Sequence, residues 1–246
     1  MDDTSSKNIL KKEINCLKKL SSYFKYDDVR NLLKEKKIQI TSSTLKTYLH
    51  FLTKNKIIFD AGKGWYSSIE KQFDLDKELI EDIIKDINQK LPLLSFSCWS
   101  TAQLNSFTHH ILSKFIIFVY TDSDYIKNTA DILEEAGYSV YENPTKPEIA
   151  KFFKLNEKTV VLRPSITKQP ENRKNFAPIE KILIDFLMEN RNFKIMEKSE
   201  AKKVVKNALN SGRINMSALV SYSKRRKFEY PETINQIQQK EKGGVG

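Results

Sequence analysis

The stretch from Ile38 to Tyr66 constrains the fold more than any other part of the chain. Four apolar residues in it recur at i, i+3, i+4 and i+7, which predicts the buried face of an amphipathic helix: Leu45, Tyr48, Leu49 and Leu52. Thr41 or Ser42 is placed to cap this helix, which should run to about Lys54.

Short strands are expected on both sides of the helix. Ile38–Ile40 alternates in the manner of a strand, and two further strands should flank the turn Ala61-Gly62-Lys63-Gly64, whose glycines permit tight bending. Two helices should precede them, one from Asn8 to Leu20 and one that begins at Tyr26. The order helix, helix, strand, helix, strand, strand is typical of a winged helix-turn-helix.

The face of the predicted helix opposite the apolar stripe carries hydroxyls, lysines and a histidine: Ser43, Lys46, Thr47, His50 and Lys54. Such side chains reach phosphates and base edges in a major groove, and Lys63 in the glycine turn could add a phosphate contact. An ordinary solvated helix face is the alternative. The two preceding helices and the turn favour DNA binding.

Charge supports a polyanionic partner. The 246 residues carry a net charge of +11. The 14 basic and 8 acidic residues of positions 1–70 give +6, positions 71–160 give −4, and positions 161–246 give +9. Two basic ends therefore flank an acidic middle, and a second basic surface is expected towards the end of the chain: Arg213, Lys224, Arg225, Arg226 and Lys227.

The pattern predicts an α+β or α/β chain of two domains. We expect a winged-helix DNA-binding domain at 1–70, a connecting helix within 71–92, an α/β domain at 93–230 and a flexible tail at 231–246. The α/β domain alternates strands and helices, which indicates a small mixed sheet followed by C-terminal helices. Cys16 and Cys98 form no CxxC pair, and no signal or membrane segment is evident, so a cytoplasmic protein away from membranes is expected.

Candidate catalytic groups are few. Ser100 with His109 invites a nucleophile hypothesis, but Ser100 more simply caps a helix. Glu180 and Asp185 on one helix make a poor metal pair for a nuclease. We therefore expect no enzyme activity, no catalytic residue, no metal and no cofactor.

Three segments of the second domain resemble a known family: WSTAQLN at 99–105 followed by His109, APIEKILIDF at 177–186, and INMSALVSYSKRRK at 214–227. Together with the N-terminal domain they resemble the AbiEi-like antitoxins of type IV toxin–antitoxin, or abortive-infection, systems. The motif residues that carry the first segment are Trp99, Ser100, Thr101, Asn105 and His109.

The resemblance implies a phage-defence antitoxin that binds double-stranded operator DNA, as a homodimer in our expectation, and represses its own operon. It also implies a cognate, nucleotidyltransferase-like toxin that is counteracted without a stable complex being required. The alternatives are a plain transcriptional regulator, a nuclease or hydrolase targeted by the winged helix, and an adaptor that binds a protein partner.

Overall fold

The computed structural model describes residues 3–108, 112, 114–170, 172 and 174–228. It mixes helices with two small sheets, in agreement with the predicted α+β class. The described residues divide into two compact units. The N-terminal unit comprises the residues up to Phe73 together with Ala208–Ser221, and the central unit comprises Asp74–Asn207 together with Tyr222–Phe228.

The N-terminal unit begins with three helices and three short strands: α1 (Asp3–Leu20), β1 (Tyr23–Lys25), α2 (Tyr26–Glu35), α3 (Ser42–Lys54), β2 (Phe59–Asp60) and β3 (Trp65–Ser67). The strands form an antiparallel sheet in the order β1-β3-β2. The helices enclose one apolar core, which includes Leu10 of α1, Val29 of α2 and Leu49 of α3. Its formation follows from the apolar periodicity of all three helices.

The predicted strand at Ile38–Ile40 is wrong. The backbone N–H of Ile38 donates to Leu33 O at 2.9 Å and that of Lys37 donates to Lys34 O at 2.9 Å, while Lys37 adopts a φ of 55°. This pairing is the left-handed turn that ends a helix, so α2 stops at Glu35 and residues 38–40 follow the turn without regular secondary structure. The third strand of the sheet is β1, which precedes α2 and pairs with Trp65–Ser67.

The segment Ala208–Ser221 completes the N-terminal unit. It contains the end of α8 (Lys198–Ser211) and the start of α9 (Met216–Arg225). The hydroxyl of Tyr23, which is 1% exposed, donates to Gly212 O at 2.9 Å and accepts from the Ile214 N–H at 3.0 Å. Tyr23 thereby satisfies two backbone groups nearly two hundred residues away in the sequence.

The central unit contains the larger sheet: α4 (Glu78–Lys90), β4 (Ser97–Ser100), a 3₁₀ helix (Thr101–Phe107), β5 (Ile116–Thr121), a 3₁₀ turn (Ser123–Tyr125), α5 (Ile126–Glu135), β6 (Ser139–Glu142), α6 (Lys146–Phe152), β7 (Thr159–Pro164) and α7 (Ile179–Phe193). The strand order is β4-β5-β7-β6. β4 runs antiparallel to β5, and β5, β7 and β6 run parallel, so the sheet is small and mixed, as expected.

Both faces of this sheet are covered. On one face, Ile83 and Ile87 of α4 and Leu133 of α5 pack with Val119 and Val160. On the other, the ring of Phe193 at the end of α7 meets that of Phe118 edge-on, with centroids 5.7 Å apart. α4, which lies within the segment expected to connect two domains, therefore supplies core residues to the central unit. This burial on both faces matches the continuous apolar run of β5.

Within the described ranges, every helix is too short or too polar to cross a membrane. Cys16 and Cys98 are both free, and burial raises the pKa of the Cys98 thiol.

Candidate nucleic-acid interface

Helix α3 is positioned by a cap and by its apolar face. The Thr41 hydroxyl accepts a hydrogen bond from the Thr44 N–H at 3.1 Å, so Thr41 is the residue before the first turn. The helix ends at Lys54, where Asn55 follows. The predicted apolar stripe is confirmed, because all four of its residues are buried: Leu45, Tyr48, Leu49 and Leu52.

The opposite face of α3 is open to solvent. Every residue proposed from the sequence to contact DNA on this helix is exposed: Ser43, Lys46, Thr47, His50 and Lys54. One apolar residue at the margin of this face went unnoticed in the sequence. Phe51 is 52% exposed, and its ring stacks on Tyr48 with centroids 6.1 Å apart.

The glycine turn, residues 61–64, joins β2 to β3 and presents an exposed Lys63 side chain. Its backbone is held by two residues that are distant in the sequence but belong to the same unit. The Lys63 N–H donates to Ser217 Oγ at 3.1 Å, and the Met216 N–H donates to Ala61 O at 2.8 Å. Gly62 has a φ of 99° and faces Asn215 and Ser217 so closely that a Cβ would meet their oxygens. The turn is therefore held in one conformation while its lysine side chain stays outside.

The predicted second basic surface does not form as a set. Lys224, Arg225 and Lys227 are exposed. Arg226 is instead largely buried, because its Nε lies 3.3 Å from Asp185 Oδ1. Arg213 is half-buried in the N-terminal unit, where its guanidinium lies over the Phe59 ring at 5.0 Å. Arg226 is held by its ion pair with Asp185, and Arg213 is held against the Phe59 ring, so neither is as exposed as the predicted surface requires.

Arg226 belongs to a buried ionic network in the central unit, which we define as Tyr120, Arg163, Lys181, Asp185, Glu189, Tyr222 and Arg226. At its centre, Lys181 Nζ lies 2.6 Å from Asp185 Oδ2 and donates to Tyr222 Oη at 2.9 Å. The Tyr222 hydroxyl donates to Asp185 Oδ1 at 2.8 Å. The Lys181 ammonium also lies 3.6 Å from the centroid of the Tyr120 ring, which provides a cation–π contact.

The outer part of the network is a second ion pair. Arg163 binds both carboxylate oxygens of Glu189, at 3.1 and 2.8 Å, and the Tyr120 hydroxyl donates to Glu189 Oε1 at 3.3 Å. Burial lowers the pKa of Lys181 against the opposing effect of Asp185 and raises the pKa of both tyrosines. The Lys181 and Asp185 side chains have no exposed surface, so neither contacts solvent in this conformation.

The sequence of α7 contains a signal for this network. Residues 179–187 of α7 are buried on every side of the helix. A helix that is apolar all round is buried, so a lysine and an aspartate four residues apart within it must pair with each other. From the sequence, Glu180 and Asp185 were weighed only as a metal pair, whereas Asp185 is in fact the buried partner of Lys181.

The residues of the first resemblance segment have structural contacts. Ser100 caps the 3₁₀ helix by accepting from the Ala102 N–H at 3.2 Å, which confirms the capping interpretation. Thr101 Oγ1 accepts from the Ile116 N–H, and Asn105 Oδ1 accepts from the Leu112 N–H, each at 3.0 Å. Trp99 is fully buried and stacks on Phe118. His109 lies outside the described residues.

Among the described residues, no three histidine, cysteine, aspartate or glutamate side chains converge as metal ligands would. Residues 44–242 match a family of unknown function, DUF6577. The chain belongs to the DUF6577 family. No curated protein matched the chain. The DUF6577 match begins inside α3 and includes its exposed Lys46, Thr47 and His50, the glycine turn and the whole ionic network.

Proposed function

We propose that the protein binds double-stranded DNA through a winged-helix N-terminal unit and acts as a transcriptional regulator. The observation that carries the proposal is the exposed polar face of α3, which lies within a unit built from three helices and an antiparallel sheet. The element order helix, strand, helix, helix, strand, strand accords with a winged helix, in which the third helix enters the major groove.

The chemistry of the face suits this role. Ser43, Lys46 and Thr47 lie in the first half of α3, where hydroxyl and ammonium groups can donate to base edges or phosphates. Lys63 extends from a turn whose backbone is fixed, so its ammonium can bind a phosphate with little loss of backbone freedom. Phosphate contacts of this kind position a protein on DNA, and the contacts of α3 would supply the sequence preference.

We propose further that the regulator is an antitoxin of a type IV toxin–antitoxin system. The support is the resemblance of residues 99–105, 177–186 and 214–227 to AbiEi-like antitoxins. On this proposal the protein acts in the cytoplasm, represses its own operon as a homodimer and counteracts a nucleotidyltransferase-like toxin.

Fluorescence anisotropy tests DNA binding. The probe is the duplex upstream of the protein's own gene, compared with a scrambled duplex of equal composition. We expect Lys46→Ala/Thr47→Ala to reduce the preference for the upstream duplex by at least tenfold, since each good base contact contributes about 1–3 kcal/mol of discrimination. Lys85→Ala is the matched control, because Lys85 is an exposed helical lysine of the central unit.

Two results would argue against the proposal. Equal affinity of the unmodified protein for both duplexes would show that binding is only electrostatic. An equal loss in the Lys85→Ala control would show that α3 has no special role.

The antitoxin role has a separate test. Cells that express a nucleotidyltransferase encoded beside the protein's gene should stop growing, and co-expression of the protein should restore growth. Growth arrest that the protein fails to relieve would remove the antitoxin proposal and leave the DNA-binding proposal intact.

A further inference from the structure

The central unit contains an open crevice of about 610 Å³ at one end of its sheet. Its lining comes from three places in the chain: the loop that follows α4, the residues directly after β5, and the residues directly after β7. Asp122 and Ser123 follow β5, and Ser165 follows β7. The two strands are parallel neighbours, so the crevice lies at their carboxyl ends.

The connections that leave these strands diverge. After β5 the chain enters α5, which packs with α4 on one face of the sheet. After β7 it continues to α7, whose Phe193 packs against Phe118 on the other face. Where neighbouring parallel strands send their connections to opposite faces, a crevice opens between them, and ligands of α/β proteins bind there. The crevice lies at such a point, and its volume is in the range of small-molecule sites.

Unpartnered polar atoms gather at the same end of the sheet. Five buried side-chain polar atoms have no hydrogen-bond partner among the described residues, and four belong to this region: Ser97 Oγ, Thr121 Oγ1, Ser165 Oγ and Gln169 Oε1. Ser165 and Gln169 line the crevice itself. Folded proteins leave few buried polar groups unsatisfied, and each such group calls for an explanation. A ligand in the crevice with both donors and acceptors could satisfy the two atoms that belong to its lining, Ser165 Oγ and Gln169 Oε1.

The lining also indicates which ligand chemistry fits. Gln169 Oε1 and the carboxylate of Asp122 are acceptors, so they require O–H or N–H donors from the ligand, whereas the Ser165 hydroxyl can donate. The apolar side is formed in part by Leu93, which is 98% exposed, and Tyr125, which is 46% exposed. A flat ring that covers these two side chains would remove apolar surface from water.

We propose that this crevice binds a ribonucleoside, either free or as its 5′-phosphate. The base lies against Leu93 and Tyr125, and the ribose hydroxyls donate to Asp122, as carboxylates accept from ribose in other α/β nucleotide sites. Ser165 and Gln169 bond to the polar edge of the base. Lys90, which also lines the crevice, interacts with the phosphate when one is present. This assignment does not depend on DNA binding by the N-terminal unit.

Isothermal titration calorimetry of the full chain tests the assignment. The probes are adenosine, guanosine, cytidine and uridine, their 5′-monophosphates, and the 2′-deoxy form of whichever binds. We expect saturable binding of at least one ribonucleoside or ribonucleotide, with the 2′-deoxy form weaker. Tighter binding of the phosphate form, lost in Lys90→Ala, would identify the nucleotide as the ligand; equal binding of both forms would identify the nucleoside.

Two variants distinguish a ligand site from a structural cluster. Ser165→Ala and Gln169→Ala should each weaken binding about five- to tenfold, since each removes a hydrogen bond to the ligand. In the ligand-free protein Ser165→Ala should leave Tm unchanged or raise it, because the hydroxyl it removes has no partner to lose. Ser106→Ala, an exposed serine of the 3₁₀ helix, is the control and should change neither quantity.

The proposal is overturned if none of the eight ribonucleosides and ribonucleotides binds at millimolar concentration. It is also overturned if binding occurs but survives both Ser165→Ala and Gln169→Ala. A large loss of Tm in Ser165→Ala would likewise count against it, because that result would give the hydroxyl a structural partner.

Discussion

The ammonium of Lys181 lies 2.6 Å from the carboxylate of Asp185, one helical turn away, and neither side chain has any surface exposed to solvent. Such a pair is retained only when each charge is compensated, since an isolated buried charge costs several kcal/mol. The compensation comes from Tyr222, which bonds to both partners, and from Tyr120 and Arg226. With the Arg163–Glu189 pair included, the network joins residues of α7, α9, β5 and β7.

Asp185→Asn should lower the free energy of unfolding by about 3–5 kcal/mol, because it leaves the Lys181 ammonium buried without a counter-ion. Urea unfolding at pH 7 measures the change. Lys127→Met is the matched control, since it removes the lysine of an exposed i,i+4 pair with Asp131, and it should change stability little. A similar effect of both substitutions would show that the buried pair has no special importance.

Stability should fall as the pH rises above 10. Burial, helped by the negative charges of Asp185 and Glu189, raises the pKa of Tyr120 and Tyr222 above their ordinary value of 10.0. The unfolded chain releases these phenol protons near pH 10 while the folded protein keeps them, so the free energy of unfolding decreases with pH, by about 1.4 kcal/mol per pH unit for each proton.

Tyr120→Phe should make the dependence of the free energy of unfolding on pH shallower, because it removes one of the two phenol protons. The decrease in slope is at most the contribution of one proton, and urea unfolding from pH 9 to pH 11 measures it. Lys181 acts in the opposite sense and at lower pH. Because burial lowers the pKa of Lys181 below 10.5, the folded protein binds fewer protons than the unfolded chain at pH values just below 10.5. The contribution of Lys181 to the free energy of unfolding therefore increases as the pH rises towards 10.5. An alkaline slope that is the same in Tyr120→Phe and the unmodified protein would contradict the prediction.

The two glycines of the turn at 61–64 should differ sharply in their tolerance of alanine. Gly64 has a φ of 74° and nothing near its missing Cβ, so Gly64→Ala should cost only the left-handed strain of about 1–2 kcal/mol. At Gly62 a Cβ would lie 2.2 Å from Asn215 Oδ1, the atom that accepts from the Ala218 N–H in the cap of α9. Gly62→Ala should therefore cost about 1–3 kcal/mol more than Gly64→Ala. Thermal unfolding of both variants measures the difference, and equal losses would refute it.

On the proposed DNA-binding function, Lys63→Ala should reduce the salt dependence of that binding. If the Lys63 ammonium neutralises one phosphate, the slope of log K against log[salt] should become shallower by about one. Anisotropy titrations between 50 and 200 mM KCl measure the slope, and Lys85→Ala should leave it as in the unmodified protein. An unchanged slope in Lys63→Ala would exclude Lys63 from the interface while leaving the α3 contacts untouched.

The parts of the fold that local periodicity determines were predictable. Helix α3 followed from the spacing of Leu45, Tyr48, Leu49 and Leu52, and its cap from Thr41. Gly137, which adopts a φ of 84° just beyond α5, is likewise a local signal for the end of a helix. In each case the residues that decide the structure lie within one or two helical turns of one another.

The parts that distant partners determine were not predictable. β1 is only three residues long, and Tyr23, Phe24 and Lys25 form a strand because β3, some forty residues later, pairs with them. Ile38–Ile40 showed a better strand pattern and formed none. Arg226 looked like a surface cation beside Arg225, because its partner Asp185 is close only in three dimensions. The sequence alone therefore located the candidate DNA contacts on α3 but not the network or the crevice.

The two hydrogen bonds of Tyr23 make the N-terminal unit dependent on a segment that is synthesised 189 to 191 residues after Tyr23 itself. Until Gly212 and Ile214 have been synthesised, the buried hydroxyl of Tyr23 has neither of these partners and the turn at 61–64 lacks Ser217. A nascent or prematurely terminated chain would carry helix α3 without the contacts that complete the unit around it. The fold therefore makes the surroundings of α3 depend on residues 212–217, so on the proposed function a chain that stops before Gly212 would compete poorly for DNA.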